Sequence, residues 1–265
     1  MGEKILEVHG IQKSYGGNIV LKDVGFSVKK GSIVGLIGAN GAGKTTLLNI
    51  LSGLVKQDKG DIFFQGESID KLGVHQRAAI GIGRTFQGGR VFKESTVLQN
   101  IVTGGHVKCS YNLLSIIFKT NKFKKEEDSI NRKGFRISEM TELNADIHNK
   151  AGALAYGKQR KVEIARALAS DPKILLMDEP TAGMSCVDFG KLMEFIRCLV
   201  AAGMTVLIVE HNMKLIMNIC DQIVVLDFGK KIAEDIPEKI QTNEDVISAY
   251  LGGYLEGVQK INVVS

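Results

Sequence analysis

The sequence lacks the features of membrane-spanning, secreted and zinc-binding proteins. Its longest apolar runs, such as residues 113–118 (LLSIIF), have only about a third of the length that a bilayer-spanning helix needs. The N-terminal stretch MGEKILEVHG carries acidic and basic side chains and no apolar h-region, so we expect no secretory signal. The cysteines form no CxxC pair and no zinc-like spacing, which predicts reduced thiols in a cytosolic protein: Cys109, Cys186, Cys198 and Cys220.

A dedicated nucleic-acid face is also missing from the sequence. The formal net charge of +5 is mild, and there is no arginine-rich arm or basic stretch interleaved with aromatic residues. We interpret the positive charge as a solvated basic surface and expect no nucleic-acid partner. The 265 residues, 44% of them hydrophobic, are enough for one large domain or two small lobes with a substantial core.

The spacing of apolar residues predicts strands that alternate with helices. Residues 5–10 and 19–28 alternate around the turn YGGN, which is typical of an antiparallel pair, and residues 60–68 predict another short pair. The continuous apolar run of residues 32–38 predicts a strand buried on both faces. Apolar strands are also predicted at residues 173–178, 205–211 and 222–234, and the intervening helical patterns indicate a mostly parallel sheet with crossover helices.

A glycine-rich turn between the first buried strand and the next helix has the composition of a phosphate-binding loop. Residues 38–46, GANGAGKTT, fit the pattern GxxxxGK[ST]. Its glycines let backbone N–H groups curl around phosphate oxygens, Lys44 can reach the β- and γ-phosphates, and the Thr45 hydroxyl can bind Mg²⁺. The loop therefore predicts an ATP site formed by Gly38, Asn40, Gly41, Ala42, Gly43, Lys44, Thr45 and Thr46.

An acidic pair follows the buried run of residues 174–177. Asp178 emerges at the predicted carboxyl end of this strand, where open α/β sheets bind ligands, and it is a candidate magnesium ligand. The adjacent Glu179 can orient or deprotonate an attacking water. Together with the phosphate loop, this pair predicts an enzyme that hydrolyses a nucleoside triphosphate.

Residues 153–168, ALAYGKQRKVEIARAL, predict a basic amphipathic helix with a glycine in its first turn. The free backbone N–H groups and the positive end of the helix dipole favour a negatively charged group at such an end. The sequence pattern does not say whether this group belongs to the chain itself or to a partner.

Taken together, these motifs resemble those of the nucleotide-binding subunits of ABC transporters, from Tyr15 to about Leu251. In that family LAYGKQ (154–159) corresponds to the signature sequence, usually LSGGQ. Two subunits pack head to tail, and each signature covers the ATP held by the phosphate loop of the other subunit. The resemblance implies that each chain carries two half-sites, and that the γ-phosphate of the ATP held by the partner subunit lies against Ala155, Tyr156, Gly157 and Lys158.

Ala155 departs from the family pattern, because the family's serine donates a hydroxyl to the γ-phosphate. Loss of one charge-assisted hydrogen bond costs about 1.5–3 kcal/mol, and Lys158 is a candidate to offset part of it. The alternative is a degenerate half-site without activity. We favour an active site, because the other catalytic residues are present.

The same resemblance implies the fold and its division. We expect an α/β P-loop NTPase of RecA-like type, with a mostly parallel sheet, an N-terminal antiparallel β subdomain and an inserted α-helical subdomain. The nucleotide-binding domain is predicted to span residues 1–251. Its α/β lobe comprises residues 1–87 and 156–251, its helical lobe residues 88–155, and residues 252–265 form a tail.

Four further residues match family positions one by one. Tyr15 resembles the aromatic residue that stacks on adenine, and Gln87 the glutamine that contacts Mg²⁺ or water. His211, after the run TVLIVE, resembles the switch histidine that contacts the γ-phosphate, and Ser185 lies where the family has a residue facing the other subunit. The resemblance thus implies the catalytic set Glu179, His211 and Gln87, and the magnesium set Thr45, Gln87 and Asp178.

Three stretches resemble the ATPase subunits of importers for branched-chain, hydrophobic amino acids: residues 81–101, 154–168 and 245–252. This branch implies a second ATPase subunit, identical or homologous, membrane permease subunits, and through them an extracytoplasmic solute-binding protein. It also implies a peripheral position on the cytoplasmic face of the cell membrane. Relatives that energise urea uptake or lipopolysaccharide export remain alternatives, as do soluble ABC ATPases that act on nucleic acid or ribosomes.

The resemblance also implies a groove between the two lobes, near residues 87–92, that receives a short coupling helix of the permease. Phe86, Val91 and Phe92 are candidates for its apolar contacts, although the same residues suit a core.

Overall fold

The computed structural model describes residues 2–85, 91–110, 115, 117–118, 120–181, 184 and 186–252. The strands are β1 (Lys4–Tyr15), β2 (Asn18–Lys29), β3 (Ile33–Gly38), β4 (Lys59–Phe64), β5 (Glu67–Ser68), β6 (Ile82–Arg84), β7 (Ile174–Asp178), β8 (Thr205–Val209), β9 (Gln222–Asp227) and β10 (Lys230–Asp235). The helices are α1 (Lys44–Leu51), α2 (Val74–Ile80), α3 (Val97–Gly105), α4 (Asn121–Met140), α5 (Tyr156–Leu168), α6 (Cys186–Ala201), α7 (Met213–Ile219), α8 (Pro237–Gln241) and α9 (Glu244–Gly252).

The strands form two sheets. One is antiparallel, in the order β2-β1-β4-β5, and the other is six-stranded, in the order β10-β9-β3-β8-β7-β6. In the six-stranded sheet every neighbouring pair is parallel except β9 and β10, which form a hairpin. This confirms the predicted α/β architecture with an N-terminal antiparallel part, and the predicted strands of residues 60–68 extend the same antiparallel sheet.

Alternate residues of the six-stranded sheet enter two separate cores, which explains why its strands are apolar throughout. In β3, Ile33 and Ile37 join the core beneath α3, α5, α6 and α7. Val34 and Leu36, which point the other way, join the core formed with α1 and the antiparallel sheet. β7, β8 and β9 alternate in the same manner, so both faces of the sheet are buried.

The carboxyl ends of the central strands meet at one edge of the sheet. The last residue of β7, Asp178, is in register with Val209 at the end of β8, and β3 ends beside them at Gly38. The turns that follow these three strands therefore lie side by side, where open α/β sheets bind their ligands.

α3 and α5 pack with their backbones in contact. A Cβ atom added to Gly104 of α3 would lie 1.9 Å from the carbonyl oxygen of Arg166 in α5, far inside contact distance. α4 packs against the other side of α3 in a similar way, because a Cβ at Gly134 would lie 2.8 Å from Leu98 Cδ1. The predicted lobe boundaries at 87/88 and 155/156 stay a prediction.

None of the helices in the described part of the chain is both long enough and apolar enough to cross a bilayer.

Candidate functional site

The loop between β3 and α1 has the backbone conformation that its glycines predict. Gly38, Gly41 and Gly43 have φ values of 155°, 83° and 98°, a region of backbone conformation that residues with a Cβ atom rarely adopt. Gly43 caps α1, and a Cβ there would lie 2.6 Å from Leu21 Cδ2 in β2. Space and φ both require glycine at Gly43. The first N–H groups of α1 have no acceptor within the helix itself, which makes them candidates to bind phosphate oxygens.

The side chain of Lys44 lies folded inside this loop. Its Nζ donates hydrogen bonds to the carbonyl oxygens of Gly38, at 2.7 Å, and Ala39, at 2.9 Å, and the residue is buried. Burial lowers the pKa of Lys44, and the nearby carboxylates of Glu179 and Asp178 partly oppose that effect. A phosphate oxygen can replace the two carbonyl groups as a stronger, charged acceptor.

Asp178, at the end of β7, is almost fully buried and holds an ion pair. Its Oδ2 lies 3.5 Å from Nη2 of Arg84, whose Nη1 donates to Ser52 Oγ at 2.7 Å. Its other oxygen, Oδ1, has no hydrogen-bond partner among the described residues. Burial raises the pKa of Asp178, and Arg84 opposes this. Asp178 Oδ1 is thus an unpartnered, buried carboxylate oxygen among the described residues, and Thr45, in the first turn of α1, is exposed; carboxylate and hydroxyl oxygens are the kind of donors that Mg²⁺ takes.

Glu179 and His211, predicted from separate motifs, are in direct contact. His211 Nε2 lies 2.6 Å from Glu179 Oε1. Glu179 has a φ of 45°, an uncommon value for a residue with a side chain, and its N–H donates to the carbonyl of Val209. The bond to the neighbouring strand end thus fixes the backbone that carries the carboxylate.

Glu210 is a part of this region that the sequence did not single out. It is buried, and its Oε1 accepts hydrogen bonds from the N–H and the hydroxyl of Thr181, at 2.9 and 2.5 Å. Its Oε2 accepts the N–H of His211 at 3.2 Å. Glu210 therefore connects the turn after β7 to the turn after β8. The sequence feature that could have indicated Glu210 is its position as an acidic residue directly before His211, at the end of an apolar strand.

α5 is confirmed as a helix but begins at Tyr156, three residues after the predicted start, and the lysine in its first turn already has an acidic partner. Ala155 caps the helix without a side-chain hydrogen bond, so the cap residue satisfies none of the N–H groups of the first turn. The ring of Tyr156 stacks under Arg160 at 5.3 Å. Lys158 Nζ lies 2.5 Å from Asp146 Oδ2, and this bond lowers the pKa of Asp146. The expectation that Lys158 offsets the missing serine hydroxyl therefore requires that pair to open.

Tyr15 lies at the turn between β1 and β2 and is 48% exposed, which suits a stacking surface. Lys13, which no sequence motif indicated, lies 5.3 Å from the centre of its ring and also donates to Asp58. One ring face therefore carries an ammonium group, and a base that stacks on Tyr15 would have to use the other face.

Family models match two parts of the chain. Residues 21–182 match the model described as ABC transporter, and residues 230–255 match the model described as branched-chain amino acid ATP-binding cassette transporter. The chain belongs to the ABC transporter family. It is an ATPase of that family that binds ATP or ADP.

Curated relatives of this ABC ATPase align over nearly its whole length. It is 40% identical to the high-affinity branched-chain amino acid transport ATP-binding protein BraF of Pseudomonas aeruginosa, over 95% of this chain and 99% of that protein. It is 38% identical to LivG of Escherichia coli, of the same description, with the same coverage. The lipopolysaccharide export system ATP-binding protein LptB of Haemophilus influenzae is 36% identical, over 94% and 97% of the two chains.

Solved structures of ATP-binding cassettes match the fold of this ABC ATPase. The ADP conformation of an ABC transporter cassette has a TM-score of 0.81 and 34% identity, over 94% of this chain and 99% of the other. A dimeric cassette bound to ADP and Pi has a TM-score of 0.72 and 27% identity, over 88% and 99% of the two chains.

A groove of about 490 Å³ opens next to the nucleotide site of the ABC ATPase. Phe92 lines it with 52% of its surface exposed, and its ring packs against Arg166. Val91, the other groove candidate within the described residues, is buried in the core instead. The remaining lining includes Ser52, Leu54, Val74 and Arg84.

Three predicted residues lie outside the described part of the chain: Phe86, Gln87 and Ser185. The proposed roles of Gln87 in catalysis and metal binding and of Ser185 at the subunit contact stay predictions.

Proposed function

We propose that this ABC ATPase drives an importer for branched-chain, hydrophobic amino acids. The observation that carries the proposal is the match of residues 230–255 to the model for branched-chain amino acid cassettes, because this segment follows the shared ATPase core. The names of BraF and LivG support the same substrate class.

We assign Mg-ATP to the loop between β3 and α1. The N–H groups of residues 38–46 hold the phosphates, and Lys44 exchanges the carbonyls of its own loop for phosphate oxygens. The Thr45 hydroxyl, Asp178 Oδ1 and the side chain of Gln87 are the proposed magnesium donors. Bound Mg²⁺ would neutralise negative charge on the phosphates during transfer.

Glu179 activates the attacking water in this proposal. Its carboxylate extends from the end of β7, and the contact at 2.6 Å keeps His211 beside it. The water that Glu179 activates attacks the γ-phosphate, so this phosphate must lie close to Glu179. Because His211 is held beside Glu179, we infer that it contacts the γ-phosphate as well. The uncommon φ of Glu179 is consistent with a backbone held for function.

A second ATPase subunit, identical or homologous, completes each site. The N–H groups at the start of α5, around Tyr156 and Gly157, cover the γ-phosphate of the ATP in the partner subunit. Ala155 provides no hydroxyl there. Release of Lys158 from Asp146 would place an ammonium group at this end of the helix.

We assign the groove beside Phe92 to a short helix of a membrane permease. Its apolar lining and exposed aromatic ring suit an amphipathic helix. The ATPase would then be a peripheral protein on the cytoplasmic face of the membrane, and an extracytoplasmic binding protein would deliver the solute to the permease.

Other functions of the same ATPase are separable by experiment. The identity to LptB, at 36%, keeps lipopolysaccharide export as the second candidate. Urea uptake and action on nucleic acid or ribosomes have no specific observation in their favour.

The deciding experiment isolates the tagged protein from gently solubilised membranes of its native cell and identifies what co-purifies. We expect two permeases, an ATPase partner and a binding protein, and we expect deletion of the gene to abolish uptake of radiolabelled leucine. Co-purification of lipopolysaccharide export proteins, with leucine uptake intact, would overturn the proposed substrate. Recovery with nucleic acid from the soluble fraction would overturn the transport role.

Replacing Phe92 by aspartate should detach the subunit from its membranes, because a charge on the groove wall opposes the burial of an apolar helix. We expect at least a tenfold loss of membrane-bound protein on cell fractionation, with ATP affinity within about twofold of wild type. Phe135→Asp is the matched control, since Phe135 lies on α4 outside the groove and is 44% exposed. Loss of ATP binding in Phe92→Asp, or equal detachment of both variants, would contradict the assignment of the groove.

A further inference from the structure

Arg84 connects the metal-binding carboxylate to the end of the phosphate-loop helix. Its Nη2 lies 3.5 Å from Asp178 Oδ2, and its Nη1 donates to Ser52 Oγ at 2.7 Å. Ser52 is the C-cap of α1, the helix that begins at Lys44. The Arg84 side chain is only 7% exposed, and that of Asp178 is 1% exposed.

The planar, forked guanidinium group explains how one side chain holds both partners. Its two terminal nitrogens point to different neighbours in a fixed geometry, which the single ammonium group of a lysine cannot reproduce. With Oδ2 of Asp178 facing Arg84, Oδ1 is left without a hydrogen-bond partner among the described residues. The side chain that orients this carboxylate also decides which oxygen is available to a cation.

Arg84 also lines the groove, together with Ser52. A helix bound in the groove would therefore lie beside the residue that contacts Asp178. β6, which carries Arg84, is paired in parallel with β7, so the two side chains extend from neighbouring strands of one sheet.

We propose that Arg84 is a positioning residue for ATP hydrolysis: it turns Asp178 Oδ1 towards the magnesium ion and ties that carboxylate to the end of α1 and to the groove. This inference rests on the magnesium site of the proposed function. Mutation of a residue that orients a metal ligand in this way typically lowers metal affinity by about 10–100-fold.

The test compares binding of a non-hydrolysable ATP analogue to wild type and Arg84→Lys, with Mg²⁺ and with a chelator. Without Mg²⁺ we expect affinities within about twofold, because the phosphate loop is unchanged. The gain in affinity on adding Mg²⁺ should fall about tenfold in Arg84→Lys. Ser52→Ala, which removes one anchor of Arg84 and keeps both charges, should reduce the gain by a smaller factor.

Arg77→Lys is the matched control. Arg77 is also an arginine packed at this end of α1, but it is more deeply buried, and its hydrogen bonds go to backbone carbonyls, including those of Ile50 and Leu51. We expect Arg77→Lys to lower thermal stability and to keep the magnesium-dependent gain within about twofold of wild type.

An unchanged gain in Arg84→Lys, or equal losses with and without Mg²⁺, would overturn the role of Arg84 alone. A wild-type protein that binds the analogue equally well with Mg²⁺ and with chelator would overturn the magnesium site and this role together.

Discussion

Replacing Glu179 by glutamine should lower ATP turnover about 100-fold or more while ATP binding persists. The amide keeps the size of the side chain and a hydrogen bond to His211, but it cannot accept the proton of the attacking water. Phosphate release and the binding of a fluorescent ATP analogue measure the two properties separately. Glu94→Gln is the control, because the side chain of Glu94 is 88% exposed and pairs only with a surface lysine, Lys150, among the contacts described.

Turnover within about fivefold of wild type in Glu179→Gln would contradict the role of Glu179 as the base.

The same variant also tests the subunit arrangement, because a protein that binds ATP without hydrolysing it should accumulate as a closed dimer. Light scattering with Mg-ATP should detect a dimer if two copies of this chain pair. A monomer with bound ATP would indicate pairing with a homologous ATPase.

Replacing Gly104 by alanine should destabilise the protein by about 2–3 kcal/mol, even though alanine is the better helix former. The new methyl group would meet the carbonyl oxygen of Arg166 at 1.9 Å, so α3 and α5 must move apart. At about 2–4 °C per kcal/mol for a chain of this size, thermal unfolding should shift down by roughly 4–12 °C.

Gly190 provides the matched control, since it also lies in a helix but has no atom within 4 Å of the position of an added Cβ. Gly190→Ala should leave the melting temperature unchanged or raise it by a few degrees, because alanine favours helix by up to about 1 kcal/mol. Equal melting temperatures for the two variants would show that α3 and α5 separate without cost.

The order of strands and helices was predictable from the sequence because each element carries its own local pattern. The continuous apolar run of residues 32–38 predicted a strand buried on both faces, and the structure confirms this for β3 and shows the same burial for β7, β8 and β9. The turn YGGN predicted the first hairpin correctly. Val91 was ambiguous because an isolated apolar residue suits a groove or a core equally well, and only the packing of α3 and α5 decides for the core.

The candidate site was predictable where chemistry depends on residues adjacent in sequence, as in the phosphate loop and the pair Asp178 and Glu179. Contacts between distant side chains were not. Nothing in the stretch GRTF indicates that Arg84 reaches Ser52 and Asp178, and nothing around LAYGKQ indicates that Asp146 holds Lys158. Such pairs depend on where the folded chain brings two distant segments together, and local motifs and spacing patterns do not show that.

The backbone contact at Gly104 holds α3 and α5 against each other, so a displacement of one helix would move the other. The 13 residues of α5 span about 20 Å, from Tyr156 to Leu168, and Arg166 and Ala167 near its carboxyl end line the groove. A tilt of about 10° imposed at the groove end would displace the Tyr156 end by about 3–4 Å, given this length. That displacement exceeds the donor–acceptor distance of a hydrogen bond. A small tilt at the groove end would therefore be enough to form or break a hydrogen bond at the Tyr156 end.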